Sequence, residues 1–192
     1  RHVAPAYGSY AAAFPQSLPI DAADVAEMAR QGGTLLLANP NNPDGRLWPV
    51  ATLLALPADL ERNGGMLVVD EAFADAMAGT SIVPHLGDGS GNIIVLRSFG
   101  KFFGLGGLRL GFVIADEPWQ AAFRLRLGSW PVSAAAITIG TIAYRDTGWI
   151  TAARQRIVTD GDRLDRLLAA HDLTGTGACP LFRLIDSPRA SA

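Results

Sequence analysis

The chain has 192 residues, 49% of them hydrophobic, and its mean hydropathy is +0.21. This composition predicts a globular protein with a sizeable core, since disordered chains are poorer in apolar residues. The formal net charge is −2 and no dense basic run occurs, so neither nucleic acid nor a membrane is expected as a partner. The longest apolar runs have the length of a β-strand, which is far short of a membrane span. The single cysteine, Cys179, excludes an internal disulfide and fits a reducing cytoplasm.

Short apolar runs alternate with helical patterns along the chain, which is typical of βαβ units. The predicted strands cover residues 34–38, 66–70, 92–97 and 110–114. The predicted helices cover residues 21–30, 49–62, 119–127, 133–144 and 151–171. This order predicts an α/β protein with three αβα layers around a mostly parallel sheet.

The change from mixed to helical character suggests a division of the chain. Residues 1–150 are predicted to form a large ligand-binding domain, and residues 151–174 a long connecting helix. Residues 175–192 are predicted to begin a small C-terminal domain, with a strand over residues 181–185. The chain begins without a methionine and stops soon after that strand. We therefore expect part of a longer protein, truncated at both ends.

Polar side chains follow the first three predicted strands. Asn42 lies in a turn after the first strand, Asp70 ends the second, and Lys101 follows the third, close to Ser98. Ligands of a parallel α/β sheet bind beyond the carboxyl ends of its strands. If these ends are neighbours, an amide, a carboxylate and an amine converge on one pocket.

Lys101 stands alone between apolar segments, where a protein can keep an amine ready to form an imine with an aldehyde. Such an amine has to lose its proton, so Lys101 is expected to be desolvated. Ser98 and Arg109 flank it with groups that bind phosphate. An aldehyde and a phosphate on one molecule indicate pyridoxal 5'-phosphate. Asp70 would keep its ring nitrogen protonated, and Asn42 would lie near its ring hydroxyl.

Each of these residues also has an ordinary structural explanation. Asn42 can simply form the turn before Pro43, and Asp70 can cap the helix that follows it. Lys101 can be a surface lysine, and Arg109 can pair with a carboxylate. The ordered set favours a cofactor site over these separate explanations. The sequence predicts no metal site.

The same pattern resembles the fold-type I enzymes that use pyridoxal phosphate, the aspartate aminotransferase superfamily (class I/II). Segments 5–10, 39–45, 69–73 and 98–101 carry the resemblance. In that superfamily an asparagine contacts the ring hydroxyl, an aspartate pairs with the ring nitrogen, and a lysine forms the Schiff base. A serine and an arginine bind the phosphate, and an aromatic residue stacks on the ring. The matching positions, in that order, are Asn42, Asp70, Lys101, Ser98, Arg109 and Tyr7.

A closer resemblance, to a branch of this superfamily in cobalamin biosynthesis, rests on segments 70–73, 101–109, 127–133 and 181–184. It implies decarboxylation of L-threonine O-3-phosphate to (R)-1-amino-2-propanol O-2-phosphate, with Lys101 and Asp70 as catalytic residues. The alternative within the fold is an aminotransferase of the histidinol-phosphate type. A third possibility is a non-catalytic domain that binds pyridoxal phosphate. The resemblance also implies a homodimer that acts on a small phosphorylated amino acid or amine, and we expect it in the cytoplasm.

The sequence departs from the superfamily pattern at several places. Phe73 stands where aminotransferases usually carry a tyrosine that bonds the ring hydroxyl, which would leave more of that tuning to Asn42. Gly100 replaces a second serine of the lysine motif. The glycine-rich phosphate turn expected before Tyr7 is missing, and so is the arginine that would hold the substrate carboxylate. Arg183 is a poor substitute, since it lies on a predicted strand ahead of that position.

Overall fold

The computed structural model describes residues 1–87 and 90–187. Its strands are β1 (His2–Val3), β2 (Pro19–Ile20), β3 (Thr34–Ala38), β4 (Met66–Asp70), β5 (Ile93–Ser98), β6 (Gly111–Ile114), β7 (Gly175–Thr176) and β8 (Leu184–Ile185). Its α-helices are α1 (Ser9–Ala13), α2 (Val25–Arg30), α3 (Val50–Glu61), α4 (Phe99–Phe103), α5 (Glu117–Leu127), α6 (Ala134–Arg145) and α7 (Thr147–Ala169). Within the described ranges, no helix combines the length and the apolar character that crossing a membrane requires.

The central sheet has six strands in the order β2-β1-β3-β4-β5-β6. All neighbours are parallel except β5 and β6, which are antiparallel. Strand side chains alternate between the two faces, and alternate residues of β3, β4 and β5 form one buried layer against α2 and α3. A smaller cluster around Phe102 and Ala153 joins α4 to α7. The predicted α/β class with a mostly parallel sheet is confirmed.

Several predicted boundaries shift by a few residues. The helix expected at 21–30 begins with a 3-10 turn over residues 22–24, and α2 starts at Val25. Helix α7 begins four residues earlier than predicted, at Thr147. The reason is Asp146, whose Oδ1 accepts a hydrogen bond of 2.9 Å from the Trp149 N–H and so caps the helix. The strand expected at 181–185 is shortened to β8.

The sequence pattern does not predict β1, β2 or α1, because elements this short carry no readable periodicity. Strand β1 pairs with β2 on one side and with β3 on the other, where His2 lies opposite Leu36. Its carboxyl end therefore reaches the same edge of the sheet as the end of β3. The chain that leaves β1 there leads to Tyr7 and into α1.

Strands β7 and β8 form a separate two-stranded antiparallel sheet. The chain next to it touches the turn after β3, since the Ala178 N–H donates to the Gly45 carbonyl at 3.0 Å. Gly177 has a φ of +109°, and a Cβ there would collide with the carbonyl oxygen of Asp44. The division at residues 150 and 174 stays a prediction, and residues 188–192 of the expected small domain lie outside the described residues.

The close approach at Gly177 is testable by substitution. Gly177→Ala should lower the free energy of unfolding by about 3 kcal/mol, since a positive φ and a backbone collision both oppose the methyl group. Gly79→Ala is the matched control, because Gly79 has a φ of +80° but open space around its Cβ position. It should cost only about 1 kcal/mol. Equal losses in urea unfolding would show that the contact with Asp44 is unimportant.

Candidate active site

The carboxyl ends of β1, β3, β4 and β5 meet at one edge of the sheet. The register places Ala38 opposite Asp70, and Asp70 opposite Leu96. The turns beyond these strands enclose a narrow cavity of about 60 Å³. Its aromatic and polar lining consists of Tyr7, Tyr10, Asn42, Asp70, Phe73 and Lys101. Four of the six predicted site residues therefore share one cavity.

The other two predicted residues lie beside it. Ser98 and Arg109 line a more open hollow of about 450 Å³, together with Lys101. Lys101 borders both cavities, one lined by Asp70 and Asn42 and the other by Ser98 and Arg109. All six predicted residues are thus brought to one edge of the sheet.

Lys101 is presented by α4, which is anchored by aromatic residues. Phe99 and Phe102 are buried, and Phe99 stacks on Phe103 with ring centroids 4.5 Å apart. Residues three and four apart share one side of a helix, which leaves Lys101 on another side. Its Nζ lies 5.6 Å from the centroid of the Phe73 ring. The expected desolvation of this amine is wrong here, since Lys101 is exposed.

Asp70 is held by two hydrogen bonds at the end of β4. Its Oδ1 accepts from the Ala72 N–H at 2.9 Å, and its Oδ2 accepts from the Tyr10 hydroxyl at 2.6 Å. Burial raises the pKa of Tyr10 above its usual range, and the charge of Asp70 raises it further. Asp70 does not cap a helix, since the next helical turn begins only after Phe73. Tyr10 lies in segment 5–10 but was not predicted as a site residue, because its contact with Asp70 depends on the unpredicted β1.

The asparagines of the turn after β3 have different roles. Asn39 is fully buried, and its Oδ1 accepts from the Trp48 N–H at 2.9 Å. Asn41 is also buried, and its Nδ2 donates to the Pro5 carbonyl at 2.8 Å and to Asp44 at 2.7 Å. Both residues clamp the turn. Asn42 instead lines the cavity, as the predicted role requires.

Arg109 adopts a left-handed backbone conformation with a φ of +53°. Its Nη1 donates to the Gly106 carbonyl at 3.2 Å. A left-handed conformation costs a residue with a side chain about 1 kcal/mol, and such strain is concentrated at functional sites. The same loop explains Gly100, since a Cβ there would lie 2.6 Å from the Gly106 Cα. The second serine of the superfamily motif therefore has no room in this chain.

A buried ionic network that the sequence analysis missed lies next to Asp70. Glu71 is 1% exposed, and its Oε2 accepts from Arg97 Nη1 at 2.8 Å. The other terminal nitrogen of Arg97 pairs with Asp75, which also accepts from the Tyr144 hydroxyl at 3.1 Å. Two carboxylates share one guanidinium, so the segment after β4 is fixed to β5 just before α4, the helix that carries Lys101. The signal available in the sequence was an arginine at the end of an apolar strand.

The start of the predicted small domain also reaches the cavity. The ring of Phe182 packs edge-on against Phe73, with centroids 5.1 Å apart. Arg183 donates to both carboxylate oxygens of Asp165 at 2.7 Å, and its Nη1 donates to the carbonyl of Cys179, also at 2.7 Å. Arg183 is therefore committed to local structure and is not free to bind a substrate carboxylate.

Comparison with known proteins gives the family. The chain matches the model of aminotransferases of class I and II over residues 9–186, and it belongs to this family. A threonine-phosphate decarboxylase from Sinorhizobium sp is 44% identical, over all of this chain and 58% of that protein. A histidinol-phosphate aminotransferase from Bradyrhizobium diazoefficiens is 35% identical, over 80% of this chain and 45% of that protein. The chain thus spans little more than half the length of the decarboxylase.

The solved structures agree on the fold. Histidinol-phosphate aminotransferase from Sinorhizobium meliloti, crystallised with pyridoxal 5'-phosphate, superposes with a TM-score of 0.85. The match covers 98% of this chain and 55% of that chain at 22% sequence identity. The resemblance inferred from the motifs is confirmed at the level of family and fold.

Breaking the buried ionic network should strongly destabilise the fold. Arg97→Met leaves Glu71 and Asp75 without their shared partner, and we expect a loss of about 3–5 kcal/mol in urea unfolding. Arg62→Met is the control, because Arg62 pairs with Asp59 at 2.7 Å but its side chain is 72% exposed. That change should cost less than about 1 kcal/mol. Similar losses in the two variants would contradict the importance assigned to the buried pair.

Arg109 is expected to lower the stability of the fold, because of its left-handed backbone, while providing a charged donor for phosphate. Arg109→Gly relieves the left-handed strain and should stabilise the fold by about 1 kcal/mol. If Arg109 binds the phosphate, as the resemblance implies, the substitution should also weaken pyridoxal phosphate binding about tenfold or more, because a charged donor is lost. Asp172→Gly is the control, since Asp172 has a φ of +56° but lines neither cavity. Thermal unfolding and cofactor titration of both variants check this prediction, and unchanged affinity in Arg109→Gly would refute it.

Proposed function

We propose that this edge of the sheet binds pyridoxal 5'-phosphate and that Lys101 is its attachment residue. The position of Lys101 carries the proposal, since it lines both the cavity of Asp70 and Asn42 and the hollow of Ser98 and Arg109. In pyridoxal phosphate the aldehyde lies between the ring hydroxyl and the phosphate arm, opposite the ring nitrogen. Asn42 and Arg109, the proposed partners of the hydroxyl and the phosphate, likewise line the two cavities that Lys101 borders. The loop at residues 106–107 leaves open space, because an added Cβ at either glycine meets nothing within 4 Å.

Each residue has a distinct task in this proposal. Ser98 and Arg109 bind the phosphate, the latter through charge-assisted hydrogen bonds. Asp70 keeps the ring nitrogen protonated, and the Asn42 amide donates to the ring hydroxyl. Tyr7 is half-exposed at the cavity and stacks on the ring. When bound, the cofactor supplies an electron sink for the bond broken at the substrate α-carbon.

The reaction we propose is decarboxylation of L-threonine O-3-phosphate to (R)-1-amino-2-propanol O-2-phosphate, a step of cobalamin biosynthesis. Two observations support it. The decarboxylase from Sinorhizobium sp is similar along the whole chain, whereas the aminotransferase match covers less of it at lower identity. Phe73 also replaces the tyrosine usual in aminotransferases. After carbon dioxide leaves, the Nζ of Lys101 would return a proton to the α-carbon.

An aminotransferase of the histidinol-phosphate type is the second candidate, and the relatives with that activity favour it. In that reaction the Nζ of Lys101 would remove the α-proton instead of returning one. The two reactions differ in which bond of the substrate α-carbon stands perpendicular to the cofactor ring. Residues that bind the substrate carboxylate set this choice, and Arg183 is not available for it.

The proposed assembly is a cytoplasmic homodimer, with residues 1–150 as the cofactor-binding domain. The exposure of Lys101 supports an additional covering element, because imine chemistry needs an amine shielded from water. A second subunit over this edge of the sheet would provide such a cover. The substrate would be a small phosphorylated amino acid or amine.

The test uses the full-length protein with pyridoxal phosphate and L-threonine O-3-phosphate. Stoichiometric release of carbon dioxide and aminopropanol phosphate is expected. Lys101→Ala should lower kcat at least about 1,000-fold, since the attachment residue and the proton carrier are lost together. Arg156→Ala, which removes an exposed cation from α7, should retain the activity.

Two other outcomes would redirect the assignment. Amino transfer from histidinol phosphate to 2-oxoglutarate without release of carbon dioxide would make the protein an aminotransferase. Cofactor binding without either reaction would identify a non-catalytic domain.

A further inference from the structure

We infer that Tyr10 is a positioning residue for Asp70, holding its carboxylate in the plane that meets the ring nitrogen of the cofactor. The inference rests on the proposed function, because it concerns how Asp70 works with pyridoxal phosphate. Tyr10 was not among the residues predicted from the sequence. It acts on the cofactor through Asp70 by means of a single hydrogen bond.

The geometry around Asp70 carries the inference. The Tyr10 hydroxyl donates to Oδ2 at 2.6 Å, and the Ala72 N–H donates to Oδ1 at 2.9 Å. With one donor on each oxygen, the carboxylate cannot rotate without breaking a bond. Each oxygen has two acceptor positions, so a ring N–H can still be accommodated. Tyr10 and Asp70 line the same cavity, which puts this hydrogen bond at the place where the ring would lie.

Tyr10 is itself held in place. It is 8% exposed, its backbone N–H donates to the Tyr7 carbonyl at 3.0 Å, and its ring meets Tyr7 edge-on with centroids 6.2 Å apart. The phenol keeps its proton because burial and the nearby charge of Asp70 both raise its pKa. The hydroxyl is therefore a permanent donor toward Asp70.

A permanent donor has a chemical consequence for the ring. With Tyr10 in place, the Asp70 carboxylate keeps the orientation in which it can accept the N–H of a protonated ring. A protonated ring is the stronger electron sink. Tyr10 thus favours the charge state that the proposed reaction needs.

The chain offers a matched comparison. Tyr144 is a second tyrosine whose hydroxyl donates to a carboxylate, in this case Asp75 at 3.1 Å. Burial raises its pKa in the same way. Asp75 belongs to the ionic network with Arg97 and does not line the ring cavity. Loss of this hydroxyl removes the same kind of hydrogen bond but leaves both hydrogen bonds of Asp70 in place.

The experiment compares Tyr10→Phe and Tyr144→Phe in the full-length protein loaded with pyridoxal phosphate that carries an isotope-labelled ring nitrogen. Nitrogen NMR reports protonation of the ring directly, without any turnover. In Tyr10→Phe the resonance should move toward the unprotonated form, and cofactor affinity should fall about tenfold. In Tyr144→Phe the resonance should stay at the parent position, although the protein is less stable.

The outcomes separate this inference from the proposed function. A parent protein that binds no pyridoxal phosphate would overturn the proposed function itself. Binding by the parent with the same ring resonance in Tyr10→Phe would overturn only the role of Tyr10. Equal shifts in both variants would mean that the effect is general loosening of the fold, which also contradicts the inference.

A second variant keeps the test decisive if Tyr10→Phe folds poorly. Site-specific difluorotyrosine at position 10 preserves the shape of the side chain and makes its hydroxyl a stronger donor. It should move the ring resonance in the opposite direction, further toward the protonated form. An unchanged resonance would refute the inference.

Discussion

Parallel pairing of β3, β4 and β5 is the constraint on which the candidate site depends. Because their register aligns Ala38, Asp70 and Leu96, the chain leaves all three strands at one edge of the sheet. This brings together Asn42, Asp70 and Lys101, although they are far apart in sequence. A slip of one residue in β4 would turn Asp70 to the other face of the sheet, since strand side chains alternate. The buried apolar layer against α2 and α3 opposes such a slip.

A second set of contacts fixes the loops that the sheet only brings near. The guanidinium of Arg97 joins Glu71 and Asp75, so the segment carrying Asp70 and Phe73 is tied to β5. The ion pair with Arg97 also offsets the desolvation cost of burying Glu71, which would be destabilising without this partner. The aromatic packing of α4 fixes the lysine from the opposite side. The site is thus held rigidly even though Lys101 is open to solvent.

The hollow lined by Ser98 and Arg109 shows how one local constraint accounts for two sequence features. Close approach of the loop at Gly106 excludes a side chain at Gly100, and the same loop accepts a hydrogen bond from Arg109. The departure from the superfamily motif at Gly100 is therefore a matter of space. Arg109 lies at the hollow with its backbone in a strained, left-handed conformation.

Much of the fold was predictable from the sequence, because the long elements carry clear periodicity. Strands β3 and β4 and helix α3 lie within a residue of their predicted bounds, while β1, β2 and α1 are too short to leave a pattern. The early start of α7 depends on one capping aspartate, Asp146, whose effect was overlooked. A shared pocket was predicted only if the strand ends that carry the polar residues are neighbours. The strand order meets this condition, since β3, β4 and β5 lie side by side.

The sequence by itself determined the α/β class and the six polar or aromatic positions of the candidate site, since both depend on residue type and spacing along the chain. Only the tertiary structure decided that Tyr10 reaches Asp70, that Arg97 lies between two carboxylates, and that Lys101 is exposed. These features depend on contacts between segments distant in sequence and on what covers each side chain. No local pattern of residues encodes either.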